Sequence, residues 1–191
     1  LDSSRQMGLW AGSNLGGYWE KRSDMLLLPA DTSPEPGLEP WLISGDLLVD
    51  PNHPARLYGS IPTVPAGITG SGIYLSDDGG WNWERPESGL PAGAIVNHMA
   101  ADPAVPGLLY AVLAETAEGA TGGLYRSDNY GQNWSSVQVP GEIRSVNDLY
   151  LHPVTGDLYI AAGRPEGGVK EGGAWIRRQD DAEFVKIFDF P

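Results

Sequence analysis

The chain has 191 residues and sets 12 Lys and Arg against 25 Asp and Glu, a formal net charge of −13. That balance argues against binding a phosphate backbone, which needs clustered cations, and without cysteine no disulfide can form. No window is apolar for long enough to span a bilayer as a helix, while 26 Gly, 16 Pro, 7 Trp and 8 Tyr suit many short strands joined by turns.

Residues 8–28 come first, running from Gly8-Leu9-Trp10 to Trp19 and beyond, and read as two strands around a polar turn. Residues 29–41 follow, with Pro29, Pro34, Pro36 and Pro40 among acidic residues, and read as an inserted surface loop. The unit 43–90 is fuller. Asp46 to Tyr58 reads as strand, proline-containing turn and strand, because Pro is confined to edges and turns where strands pair. Gly72-Ile73-Tyr74-Leu75 then runs into the polar turn Ser76-Asp77-Asp78-Gly79-Gly80 and returns to Trp83. The unit 92–141 repeats both blocks: His98 to Tyr110 matches the first, and Gly123 to Trp134 lines up with Gly72 to Trp83 without a gap. In the unit 142–190 the first block recurs from Asp148 to Tyr159 with one residue deleted. The second recurs loosely from Gly173-Ala174-Trp175 to Phe184.

The closing aromatics are Trp19, Trp83, Trp134 and Phe184, at successive spacings of 64, 51 and 50 residues. The loop at 29–41 accounts for the longer first interval, and a period near fifty is the signature of a repeat architecture. Four antiparallel strands per period make a propeller blade. The expected fold is therefore all-β, a propeller segment of about three and a half blades within a larger ring of about seven.

The turn itself has a physical basis. Ser76 and Asp78, or Ser127 and Asn129, carry short polar side chains that bond nearby backbone N–H groups and hold a turn closed. Gly80 and Gly131 supply backbone freedom, and Trp83 and Trp134 are expected to be buried beneath their hairpins. The pattern Ser-x-Asp-x-Gly-x-x-Trp resembles the Asp box of sialidases, sortilin-type receptors, the xyloglucanase family and photosystem II assembly factors. In those families the box is a structural hairpin, so the resemblance implies scaffold rather than chemistry at these residues. Combined with Asp-Pro-x-x-Pro-x-x-Leu-Tyr, it most resembles the xyloglucanase-like and sortilin-like propellers. The acidic Thr-Asp-x-Gly-Gly type segment expected after the second strand of a xyloglucanase blade has no match at Gly59-Ser60-Ile61-Pro62 or its two counterparts. No arginine triad of the sialidase kind is aligned either.

Topology divides such a molecule into two faces, with the Asp-Pro turns and the box turns on one. The other carries the long, dissimilar loops from Ser60 to Gly72, Leu113 to Gly122 and Ala161 to Gly172. Recognition concentrates on loops held by a rigid scaffold. The inner strand of each blade starts on that face, with Asp46, His98 and Asp148 aligned and Asn97 and Asn147 preceding the last two. These five residues form the candidate binding site at an axial mouth; the alternative is that they line a wet channel. Asp46 and Asp148 could also serve as a glycosidase acid/base pair. Alanine at both is nonetheless expected to leave folding intact.

His53, His98 and His152 are too separated for a metal site, and no glycine-rich run opens a helix to cradle phosphate, so neither a metal nor a cofactor is expected. Trp41 and Trp81 are the aromatics least explained by the repeat core; exposed turn packing is the expected role, and sugar stacking is the alternative. The sequence points to a non-catalytic protein- or glycan-binding assembly scaffold in an extracytoplasmic setting. The alternative is a fragment of a xyloglucanase-like or sialidase-like glycoside hydrolase. Carbohydrate is the small-ligand class, and nucleic acid is not expected. Apolar ends, with Leu9, Trp10, Leu26 and Leu28 at one and Phe184, Ile187, Phe188 and Phe190 at the other, are expected to be covered by the rest of a propeller or by a protein partner.

Overall fold

Short apolar runs broken by Gly, Pro and Asp give thirteen strands and no helix among the described residues. The computed structural model describes residues 9–12, 19–23, 46–61, 72–86, 89–92, 94–114, 122–141, 143, 146–166 and 169–189. The insertion 29–41, with Leu26, Leu28, Trp41 and Phe190, lies outside them.

Strand β1 (Leu9–Gly12) pairs antiparallel with β2 (Trp19–Ser23). The next sheet runs β3 (Leu47–Val49), β4 (Leu57–Ile61), β5 (Gly72–Ser76). Its fourth position is a single bridge between Leu75 and Glu84. The third sheet orders β6 (Ile95–Ala101), β7 (Leu109–Ala114), β8 (Gly123–Ser127) and β9 (Ser135–Ser136). The fourth orders β10 (Val146–Leu151), β11 (Leu158–Glu166), β12 (Val169–Arg177) and β13 (Val185–Asp189). Every pairing is antiparallel between sequence neighbours, the meander of a blade.

Alternation along β7 explains how the sheets stack. Leu109, Ala111 and Leu113 enter a core with Trp134 of their own unit and Tyr58, Ile73 and Leu75 of the preceding one. Tyr110 and Val112 point the other way, joining Leu124, Leu149, Ile160, Trp175 and Phe184. The third sheet is thus buried on both faces, and β7 (Leu-Tyr-Ala-Val-Leu-Ala) is apolar throughout instead of alternating with polar residues.

The turns lie together as the topology requires. The Gly79 N–H donates to Ala55 O at 2.8 Å, and the Tyr130 N–H to Gly107 O at 3.1 Å. In the fourth sheet the Gln179 N–H reaches the Asp157 carboxylate at 3.2 Å. Tyr130 takes the left-handed conformation (φ 60°) that Gly79 takes with φ 76°. A non-glycine residue is disfavoured there, and the Tyr130 ring offsets that cost by packing over Gly107 and under the Arg56 guanidinium, 4.5 Å away.

Inside the first box turn, Ser76 Oγ donates to Asp78 Oδ1 at 2.8 Å and accepts the Gly80 N–H at 2.9 Å. Ser127 repeats this with Asn129 at 3.0 Å and Gly131 at 2.9 Å. The backbone N–H of Asn82, then its side-chain amide, hold the Asp78 carboxyl down to about 2. Because the folded value lies below the usual carboxylate value of about 3.9, this turn contributes stability above about pH 4 that is lost as pH falls toward 2. Urea midpoints measured from pH 6 to 2 should fall more steeply for the native chain than for Asp78→Asn. Parallel curves would count against it.

Two elements differ from the sequence reading. The loop expected from Ala161 to Gly172 is instead an extension of the β11–β12 hairpin, paired through Gly163↔Gly172 to Glu166↔Val169. Gly163 and Pro165 mask the strand, since both residue types weaken strand signals. Trp83, expected to be buried, is half-buried, whereas Trp134 is buried. Each indole N–H donates to its turn glycine, Gly80 O at 3.1 Å and Gly131 O at 3.0 Å. Only Trp134 sits between two described sheets.

Candidate functional site

Asp46 stands immediately before β3, and its position is fixed from three sides. Its N–H donates to Ser60 Oγ at 2.8 Å, and its Oδ1 accepts the Leu47 N–H at 3.1 Å. Its Oδ2 accepts the Met99 N–H on the next sheet at 2.6 Å and lies 3.2 Å from His98 Nδ1. Ser60 is fully buried and its Oγ also reaches Val96 O at 3.5 Å. The carboxylate therefore ties one inner strand to the next. Removing it would leave the Met99 N–H without its acceptor, so alanine at this position is expected to cost stability.

Asn97 and Asn147 fall where the register slips, between Val96 and His98 and between Val146 and Asp148. A bulge adds a residue to one strand and re-aims the side chains beside it. Both asparagines are exposed, and the Asn147 amide donates to Gly163 O at 2.7 Å. Asp148 is exposed, with Oδ1 accepting the N–H of Leu149 at 2.9 Å, the same local bond that Asp46 makes to Leu47. The structure thus brings Asp46 and His98 together, turns Asn147 onto β11 and leaves Asp148 open on the last sheet. Among the described residues no group of three or more His, Asp or Glu side chains could hold a metal.

A cavity of about 250 Å³ lies on the loop face, between the start of β5 and the connection into the third sheet. Arg85, Pro86, Leu90 and Pro91 line it with Gly72 and Ala94. Gly72, at φ 128°, leaves room beneath the Arg85 guanidinium, which lies 3.5 Å from where a Cβ would stand. The glycine opening each copy of the motif was the sequence signal here. Trp81, 47% exposed, belongs to the opposite, turn-bearing face.

Sequence reasoning also missed Arg177. It occupies the Ser127 position in the eroded fourth copy of the motif, where its Nη2 donates to the Tyr110 hydroxyl at 2.9 Å and its guanidinium lies 5.2 Å from the Phe184 ring. The guanidinium thus lies near two rings, Tyr110 of the third sheet and Phe184 after the fourth copy's turn, and links the two sheets.

No protein-family model matches the chain, and no curated protein sequence matches it significantly. Solved structures do match. A GH74 enzyme from Niastella koreensis aligns with a TM-score of 0.58 at 20% identity, over 76% of this chain and 22% of its own. An ancestral GH74 enzyme gives 0.57 at 16% identity over 74% and 19%. The GH74 xyloglucanase from Xanthomonas campestris gives 0.53 at 18% identity over 76% and 22%. The chain spans about a fifth of the length of these enzymes. With the stacked antiparallel meanders, this likeness makes the chain an all-β propeller segment of about three and a half blades.

Proposed function

We propose that this chain is a polysaccharide-binding sector of a glycoside-hydrolase-type propeller, holding a neutral β-glucan such as xyloglucan without cleaving it. The observation that carries the reading is the cavity of about 250 Å³ on the loop face, where one guanidinium meets apolar walls. Arg85 offers a planar fork of donors for sugar hydroxyls, and Pro86, Leu90 and Pro91 suit the C–H faces of a pyranose ring. The net charge of −13 disfavours acidic glycans such as sialosides. An extracytoplasmic setting fits such a ligand, and the Ser76 and Ser127 turns support the Asp-box type of scaffold.

Glycoside hydrolysis needs a carboxyl group free to protonate the leaving oxygen and a second one placed opposite. Asp46 already has both oxygens engaged by the Leu47 and Met99 N–H groups. The fold likeness to GH74 enzymes favours a second reading, in which this sector belongs to a hydrolase whose acids lie on other blades. Both readings place binding here.

Calorimetric titration of the chain with xyloglucan oligosaccharides, a linear β-glucan and a sialoside tests the reading. Heat is expected with the neutral glucans alone, and Arg85→Ala should weaken binding about tenfold or more, the effect of losing a charged hydrogen bond. Absence of binding to either neutral glucan, or unchanged affinity in Arg85→Ala, would overturn it.

A further inference from the structure

The cavity beneath Arg85 provides only half of what a sugar hydroxyl needs. A hydroxyl both donates and accepts hydrogen bonds, whereas a guanidinium only donates. The other side chains lining the cavity, among them Ile73, Pro86, Leu90 and Pro91, are apolar and hold no acceptor. At about 250 Å³ the cavity is also smaller than the roughly 300–1,000 Å³ of sites that enclose a drug-sized ligand, so a glucan seated there runs on beyond it.

An acceptor stands at the inner end of the same seam. Asp46, Ser60 and Ile73 lie in one row across the second sheet, and Ile73 lines the cavity. Strands spaced about 4.8 Å apart put the Asp46 end of that row roughly 10 Å from the cavity. There Asp46 Oδ2 lies 3.2 Å from His98 Nδ1. A lone pair on Nδ1 would be repelled by that oxygen, so the neutral imidazole carries its proton on Nδ1 and leaves Nε2 as an acceptor. The His98 side chain is 42% exposed, and Nε2 has no partner among the described residues. The aligned positions in the second and fourth sheets are both aspartate, so this imidazole is no part of the repeat that builds the blades.

We propose that His98 is a second sugar-contacting residue, whose Nε2 accepts a hydroxyl of the same glucan chain that Arg85 holds in the cavity. Asp46 is its positioning residue and fixes the tautomer. Donors at the cavity and an acceptor toward the axis together satisfy both hydrogen-bonding roles of a hydroxylated chain. Oligosaccharides long enough to reach both groups are thereby selected over a disaccharide confined to the cavity. The inference rests on reading that cavity as a glycan site.

NMR titration of the 191-residue chain with cellobiose and with cellohexaose tests it, beside His98→Asn. Asparagine keeps an amide N–H where Nδ1 stands and removes Nε2. The native chain should bind cellohexaose at least about tenfold more tightly than cellobiose, and His98→Asn should lose most of that ratio. The imidazole nitrogen spectrum of the native chain should show the proton on Nδ1. Its Nε2 resonance should move with cellohexaose and not with cellobiose, a result that does not depend on the variant folding. An unchanged ratio in His98→Asn, or an unmoved Nε2 resonance at saturation, would overturn the proposal and leave the cavity to its own test by Arg85→Ala. Absence of binding by both ligands would overturn the glycan reading and this proposal together.

Discussion

Replacing Trp134 with alanine is expected to destabilise the chain by about 3–5 kcal/mol, the range for emptying a buried aromatic site. The ring is 6% exposed and lies in the core between the second and third sheets, with Tyr58, Leu75, Leu109 and Tyr125. Its loss also frees the Gly131 carbonyl from the indole N–H. Gly89 lies so close to the Trp134 backbone that a Cβ there would stand 1.8 Å from its carbonyl oxygen, so the segment cannot easily collapse into the gap. Trp83→Ala makes the internal comparison. That ring keeps the same bond to its turn glycine but is half-buried, and the smaller area removed from the core should cost less. Chemical denaturation of both variants checks the order, and equal losses would contradict the stacking of the sheets.

Asp46→Ala is expected to cost about 1–3 kcal/mol, because it strands a part-buried Met99 N–H and removes the partner of His98. Asp148→Ala, on the open face, should be close to neutral in the 191-residue chain. Asp46→Asn keeps an oxygen for Met99 and should recover most of the loss. Denaturant midpoints for the three variants separate a tie between blades from a solvated acid at a channel mouth, for which all three would match the native chain.

The repeat was legible because one side chain often defines a whole local structure. Ser127 closes its turn on Gly131 and Trp134 anchors the return, so the motif appears in the sequence with its spacing intact. Other features depend on groups that carry no sequence signal. The donor to Asp46 is the backbone N–H of Met99, a group that every residue but proline possesses. The cavity beneath Arg85 assembles from Gly72 and from Leu90 and Pro91, which come together only when two strands and a connection are in place. Trp83 and Trp134 share a motif yet differ in burial, because burial is set by the neighbouring sheet and not by the turn. The β11–β12 extension was hidden by Gly163 and Pro165, residues that usually mark the end of a strand.

Asp46 either holds blades together or handles protons. Release of reducing ends from xyloglucan by the isolated chain, measured beside Asp46→Asn, addresses this most directly. The proposed role predicts no release above the blank from either protein, with the same binding heat in both. Turnover by the native chain that disappears in Asp46→Asn would contradict it and make this carboxylate a catalytic group.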